Sequence, residues 1–147
     1  MKNIFLLFKE INVTFQNMRK CILLLFLFNG FASLGLWSSN VYVNGSTYFI
    51  GPNANLVEAN LAGADLSDAW LNGADLTSAN LTEANLSNAQ LSGTILSNAI
   101  LRGVNFQDAY ISSAVLTHAD LTGSDFSDVT LNNALFSYAT LAQIKSG

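Results

Sequence analysis

From Ala54 to Gln143 the chain divides into eighteen consecutive blocks of five residues, with no insertion between them. The third residue of every block is large and apolar: Leu56, Leu61, Leu66, Leu71, Leu76, Leu81, Leu86, Leu91, Leu96, Leu101, Phe106, Ile111, Leu116, Leu121, Phe126, Leu131, Phe136 and Leu141. Such a period excludes both regular solutions. Five residues of α-helix advance about 500°, so the leucines would spiral around the axis without sharing a face. In a straight strand an odd step sends successive leucines to opposite sides. What remains is a backbone that bends by a similar angle in each block and keeps the same positions inward, which is an all-β solenoid.

The inward positions carry a contrast of size that supports this reading. Two residues before the centre stands Ala in fourteen blocks, with Thr94, Val104, Ser124 and Val129 as the exceptions. A narrow interior reaches close packing when each corner contributes one large and one small side chain. Leu86→Ala is therefore expected to cost about 2–5 kcal/mol, and Ala84→Leu to overpack the interior. Coils stacked about 4.8 Å apart would satisfy their backbone amides through neighbours above and below.

The runs Ala64-Asp65-Leu66-Ser67-Asp68, Ala74-Asp75-Leu76-Thr77-Ser78, Ala79-Asn80-Leu81-Thr82-Glu83 and Ala84-Asn85-Leu86-Ser87-Asn88 resemble the pentapeptide repeat family, whose motif is A-(D/N)-L-x-x. That resemblance implies a right-handed quadrilateral β-helix with four blocks per coil, and hence about four and a half coils for residues 54–143. One independent feature agrees. Gly63, Gly73, Gly93, Gly103 and Gly123 close even-numbered blocks only, an alternation natural for four blocks per coil and awkward for three.

With residues twenty apart stacked, the surface becomes readable. The face of Leu66, Leu86, Phe106 and Phe126 gathers Asp65, Asp68, Asp108, Asp125 and Asp128, five of the nine acids between Ala54 and Gln143. The face of Leu71, Leu91, Ile111 and Leu131 carries no charge and shows Trp70 and Tyr110. On the face of Leu76, Leu96, Leu116 and Phe136, the outward position before the centre holds Ile95, Val115 and Leu135 on successive coils, with Ile100 around the corner. An apolar ladder stands where water is expected, which marks a candidate protein-contact site.

Residues 1–37 read as a leader followed by a signal peptide or membrane anchor. Arg19-Lys20 precede the apolar run Cys21–Phe28, and small residues follow with candidate cleavage points after Ala32 or Gly35. Met18 is the tidier start for such a signal, and residues 21–37 left uncleaved are at the short end of what spans a bilayer. A hydrophobic helix is expected here. Either arrangement places the solenoid outside the cytoplasm: periplasm, thylakoid lumen, secreted, or anchored at a membrane. Residues 38–53 then form a β-hairpin cap, because two β-rich runs flank Asn44-Gly45 before Gly51-Pro52 breaks the strand. Residues 144–147 are a tail.

Charge divides along the same boundary. Lys2, Lys9, Arg19 and Lys20 against Glu10 give +3 before residue 54, whereas nine acids against Arg102 give −8 for residues 54–143. The acidic body disfavours direct nucleic-acid binding. One Cys and one His exclude a disulfide framework and leave little for a metal site, so no cofactor and no metal are expected. His118 near Asp120 lacks a third group or a convergent pocket, and the motif itself places acids before the centres, so catalysis is not expected. The glycines supply positive φ at turns and are not clustered as a phosphate loop.

Function then falls between two readings. The first is a non-enzymatic rigid scaffold or protein-binding module, exported or anchored, contacting a protein partner or a second copy through its C-terminal coils, since nothing remains to cover Phe136, Tyr138 and Leu141. Extracytoplasmic and thylakoid-lumen pentapeptide repeat proteins are similar in layout. The alternative, implied by resemblance to the quinolone-resistance members of the family, is an acidic DNA mimic acting on a type II topoisomerase such as gyrase, should the chain stay cytosolic.

Overall fold

The computed structural model describes residues 39–146; the expected leader, apolar helix and cleavage points lie outside them. Among the described residues there is no helix, and no helix long and apolar enough to cross a membrane. The architecture is built from one repeated corner. In each interior block the N–H of the residue two before a centre donates to the carbonyl of the preceding centre, as Ala84 does to Leu81 at 2.9 Å and Ala89 to Leu86 at 3.1 Å. The second residue after each centre has a positive φ, 58° at Ser78 and 59° at Asn88. A four-residue turn with that bond and that φ is type II. Positive φ is strained for β-branched side chains, and none of the eighteen residues at this position is Val, Ile or Thr.

Four corners close a coil. Parallel bridges join residues twenty apart along the whole solenoid, from Asn55↔Asp75 to Asp125↔Lys145. Between coils the bonds run both ways: Leu86 N–H to Asn105 O at 2.8 Å, Asn88 N–H to Gln107 O at 2.9 Å, and Asn105 N–H to Ala84 O at 3.1 Å. The amides are thus paired along the axis while side chains before the centre face outward and the centres face in.

The centres from Leu56 to Leu121 are buried, together with the alanines two residues before them. Where Ala is replaced by a hydroxyl residue the interior satisfies it locally. Thr94 Oγ1 donates to Leu91 O at 2.7 Å and lies 3.0 Å from Leu71 O, and Ser124 Oγ donates to Leu121 O at 2.6 Å. The larger centres near the C-terminal end meet as rings: Phe106 and Phe126 have centroids 4.9 Å apart, and Phe126 meets Phe136 edge-on at 6.3 Å.

The two ends differ. At the N-terminal end the hairpin of β1 (Ser39–Val43) and β2 (Ser46–Ile50) pairs antiparallel through Val43↔Ser46. Its turn residues Asn44 and Gly45 both have positive φ, 48° and 85°, as the expected type I′ turn requires. Ile50 is buried. At the C-terminal end three of the eighteen centres are not enclosed: Leu141 is exposed and Phe136 half-buried, as expected of side chains with nothing to cover them, and Leu131, expected in the core, is exposed as well. The reason is geometric, since no described coil stacks on the one they belong to.

Candidate functional site

The residue before each centre has a structural task that composition does not reveal. Its side-chain oxygen accepts the amide two residues on, bracing the corner: Asp75 Oδ1 from Thr77 N–H at 3.0 Å, Asn80 from Thr82 at 3.1 Å, Asn85 from Ser87 at 3.2 Å, Asn105 from Gln107 at 3.0 Å. In Asp75 and Asn80 the same oxygen also accepts the Thr hydroxyl, at 2.6 and 2.7 Å. This is the Asx-turn geometry that makes Asp and Asn favourable there.

Ile95, Val115, Leu135 and Ile100 cannot make that bond. They occupy the bracing position with side chains that have no acceptor, and the solenoid loses one local hydrogen bond at each. The first three form one continuous column, Ile95↔Val115↔Leu135, directly after Asp75. Ile95, Ile100 and Leu135 are 39%, 41% and 55% exposed, and Val115 is half-buried between its neighbours. The column is bordered by acids, Asp75 at its N-terminal end and Asp120 beyond Ile100 in the adjoining column.

A fifth and a sixth residue extend the patch at the corner. His118 and Tyr138, twenty apart, stack with ring centroids 4.9 Å apart and planes 8° from parallel. His118 therefore pairs with its column neighbour. No described side-chain bond joins it to Asp120, whose carboxylate accepts Thr122 Oγ1 at 2.6 Å and Thr122 N–H at 3.1 Å and stands 3.7 Å from Arg102 Nε. Those bonds, the hydroxyl first, hold the Asp120 carboxyl below the usual carboxylate range. Asp125 is lowered in the same direction by the Ser127 hydroxyl and amide, with Lys145 3.6 Å away.

The acids of the Leu66 face divide between two columns. Asp65 and Asp125 lie in the bridge column Asp65↔Asn85↔Asn105↔Asp125, and its middle members are neutral. Asn85 Nδ2 donates to Asp65 Oδ1 and Asn105 Nδ2 to Asn85 Oδ1, each at 3.2 Å, making an amide ladder. Asp68, Asp108 and Asp128 sit at the adjoining corner with positive φ, alongside Asn88. On the Leu71 face Trp70 is half-buried and Tyr110 exposed, on either side of Gln90. Among the described residues no three His, Cys, Asp or Glu side chains gather in an arrangement that would hold a metal ion.

Comparison with known families matches Pentapeptide repeats, in eight copies, over residues 52–77, 59–98 and 99–137, more than half of the chain. The chain belongs to the pentapeptide repeat family. Its solved structural neighbours are pentapeptide repeat proteins, which form right-handed β-helices. HetL, involved in heterocyst differentiation regulation in the cyanobacterium Nostoc sp. strain PCC 7120, is 26% identical over 61% of this chain and 46% of its own, with a TM-score of 0.47. A pentapeptide repeat protein of the Arabidopsis thaliana thylakoid lumen is 29% identical over 58% of this chain and 56% of its own, with a TM-score of 0.48. Rfr23 of the cyanobacterium Cyanothece 51142 is 32% identical over 65% and 58%, with a TM-score of 0.36. This pentapeptide repeat protein thus spans about half the length of the first two structures it matches. Among curated proteins no match was found.

Proposed function

We propose that this pentapeptide repeat protein is a non-enzymatic scaffold, exported or anchored through residues 21–37, that presents a flat apolar ladder to a protein partner. One observation carries the reading. Ile95, Val115 and Leu135 occupy the position whose Asp or Asn otherwise braces the corner, and they leave apolar surface in water. The side-chain brace is lost at each of these corners, and the apolar surface left in water is what a contact outside the solenoid would cover. A β-sheet column also offers a rigid surface, which keeps the entropic cost of binding low. The acidic face supports the DNA-mimic alternative less well, because neutral Asn85 and Asn105 separate Asp65 from Asp125 and bond to one another along the column.

The test is site-specific photo-cross-linking in the native host, with the reactive residue at Ile95 or Ile100 and, as controls, at Gln90 or Asn105 on other faces. The reading predicts one discrete adduct from the ladder positions alone. Equal adducts from every face, or none from the ladder, would refute it. Mass spectrometry of the mature N-terminus together with cell fractionation reads the export half of the proposal separately.

A further inference from the structure

β1 and β2 divide their side chains between two faces, as a period of two requires. Val41, Val43 and Tyr48 are half-buried and Ile50 is buried, whereas Asn40, Tyr42, Thr47 and Phe49 are exposed. The inner face is seated on the first coil. There the Tyr48 hydroxyl accepts Asn60 N–H at 3.0 Å, and Asn44 Nδ2 donates to Ala62 O at 3.0 Å. One coil later the amide corresponding to Asn60 bonds to the coil before it, Asn80 N–H to Ala59 O at 2.9 Å. The hairpin therefore caps the N-terminal end of the solenoid, and its outer face looks away from it.

That outer face is aromatic and uncharged. Tyr42 is 73% and Phe49 50% exposed. The register Tyr42↔Thr47 and Asn40↔Phe49 makes the two rings diagonal neighbours across the strands, at a separation of about 7–8 Å. No Asp, Glu, Lys or Arg occurs from Cys21 to Val57, and the first charged residue after that run is Glu58. An acidic solenoid thus begins with a neutral, aromatic tip.

The chain that precedes the tip indicates what covers it. A single residue, Ser38, separates β1 from residues 21–37, the apolar run read as a signal or anchor. A bilayer span needs about 20 apolar residues, and that run falls short, so an uncleaved anchor draws the chain directly after it toward the headgroup layer. Tyr and Phe suit that layer, because the rings enter the apolar boundary while the phenol oxygen stays with water. A neutral tip also meets no repulsion from an anionic leaflet, whereas the solenoid, with its excess of acids, is pushed away from it. The two effects together stand the solenoid off the membrane on its hairpin.

We infer that the Tyr42 and Phe49 face of the hairpin is a lipid-contact surface seated at the bilayer interface. The inference rests on the anchored form of the proposed function and adds which surface of the described fold meets the membrane. The test takes the full chain with Cys21→Ser, reconstituted into phosphatidylcholine vesicles, and places one fluorescent dye at Thr47→Cys on the outer face or at Gln107→Cys on the solenoid. Both positions are exposed, and both leave the aromatic rings in place. Flotation of the vesicles reads the anchor, and quenching by lipids brominated near the headgroup end of their chains reads the contact.

The chain is expected to float, with the Thr47 dye quenched by brominated lipid and the Gln107 dye quenched only by aqueous acrylamide. Tyr42→Thr with Phe49→Thr, which keeps the strand preference, is expected to lose most of the lipid quenching at Thr47, and Tyr42→Trp to retain it. The contrast between Thr47 and Gln107 needs no change to either ring, so it decides the matter even where the threonine pair unfolds the hairpin. A floating chain whose Thr47 dye answers to acrylamide and not to brominated lipid would overturn the inference and leave the anchor standing. A dye shielded from both quenchers would overturn it in favour of cover by protein. A chain that does not float would overturn the anchor and the inference together.

Discussion

The corner at Asn88 allows the conformational origin of the fold to be measured. Its φ is 59°, its N–H bonds to Gln107 O at 2.9 Å, and the turn it helps to form is closed by Ala89 N–H to Leu86 O at 3.1 Å. Left-handed backbone is tolerated by Asn and free for Gly, but a β-branched side chain there carries strain of about 1–3 kcal/mol. Asn88→Val is expected to fall at the upper part of that range, and Asn88→Gly within about 1 kcal/mol of the parent, where relief of strain offsets the greater freedom of the unfolded chain. Gln90→Val is the internal control. Gln90 lies two residues on, in an extended bridge between Trp70 and Tyr110, where β-branching is favourable, so its effect should stay within about 0.5 kcal/mol. In a domain of this size 1 kcal/mol moves the midpoint by about 4–8 °C, so thermal melts followed by circular dichroism resolve the three variants. Equal melting of Asn88→Val and Asn88→Gly would refute the claim that positive φ, and not side-chain bonding, selects the corner residue.

Core depth gives a second contrast: Leu86→Ala should cost about 2–5 kcal/mol, and Leu131→Ala, at an exposed centre, clearly less, as paired denaturant titrations would show. Thr94→Val should cost under about 1 kcal/mol, because Leu71 O and Leu91 O keep their turn bonds from Ala74 and Thr94 N–H at 2.9 and 3.1 Å and no buried group is left unpaired; a larger loss of midpoint would show that the hydroxyl is needed. Asp120 and Asp125 have folded pKa values below the ordinary one, so the stability they contribute is present above the usual carboxylate range and is lost as pH falls through their folded values. Thr122→Val should raise the Asp120 pKa toward its ordinary value, read by NMR titration of the carboxyl carbon; an unmoved pKa would assign the effect elsewhere.

The solenoid was legible because a period of five is incompatible with helix and with flat strand, and the size contrast between centres and alanines says which side is inside. The four-block coil was legible only through its glycines. A fuller signal lay in the same position, where eighteen residues include no Val, Ile or Thr, and that exclusion is what the φ of a type II turn imposes. The bracing role of Asp and Asn was not legible, since an acid on a surface reads equally well as a solubilising group until its oxygen is seen to accept an amide. His118 shows a different limit. Its neighbour in sequence, Asp120, invites a chemical pairing, whereas its neighbour in space is Tyr138, twenty residues on. The exposure of Leu131 depends on stacking above it, which no local pattern encodes.

Because each block contributes a quarter of a circuit, the length of any inserted or deleted segment determines which way everything downstream points. Losing twenty residues would shorten the rod by one storey and leave each stripe aligned. Losing five between Ile95 and Val115 would leave the interior equally well filled, yet it would swing Val115 and Leu135 to a different side from Ile95 and dismantle the stripe without touching any residue in it.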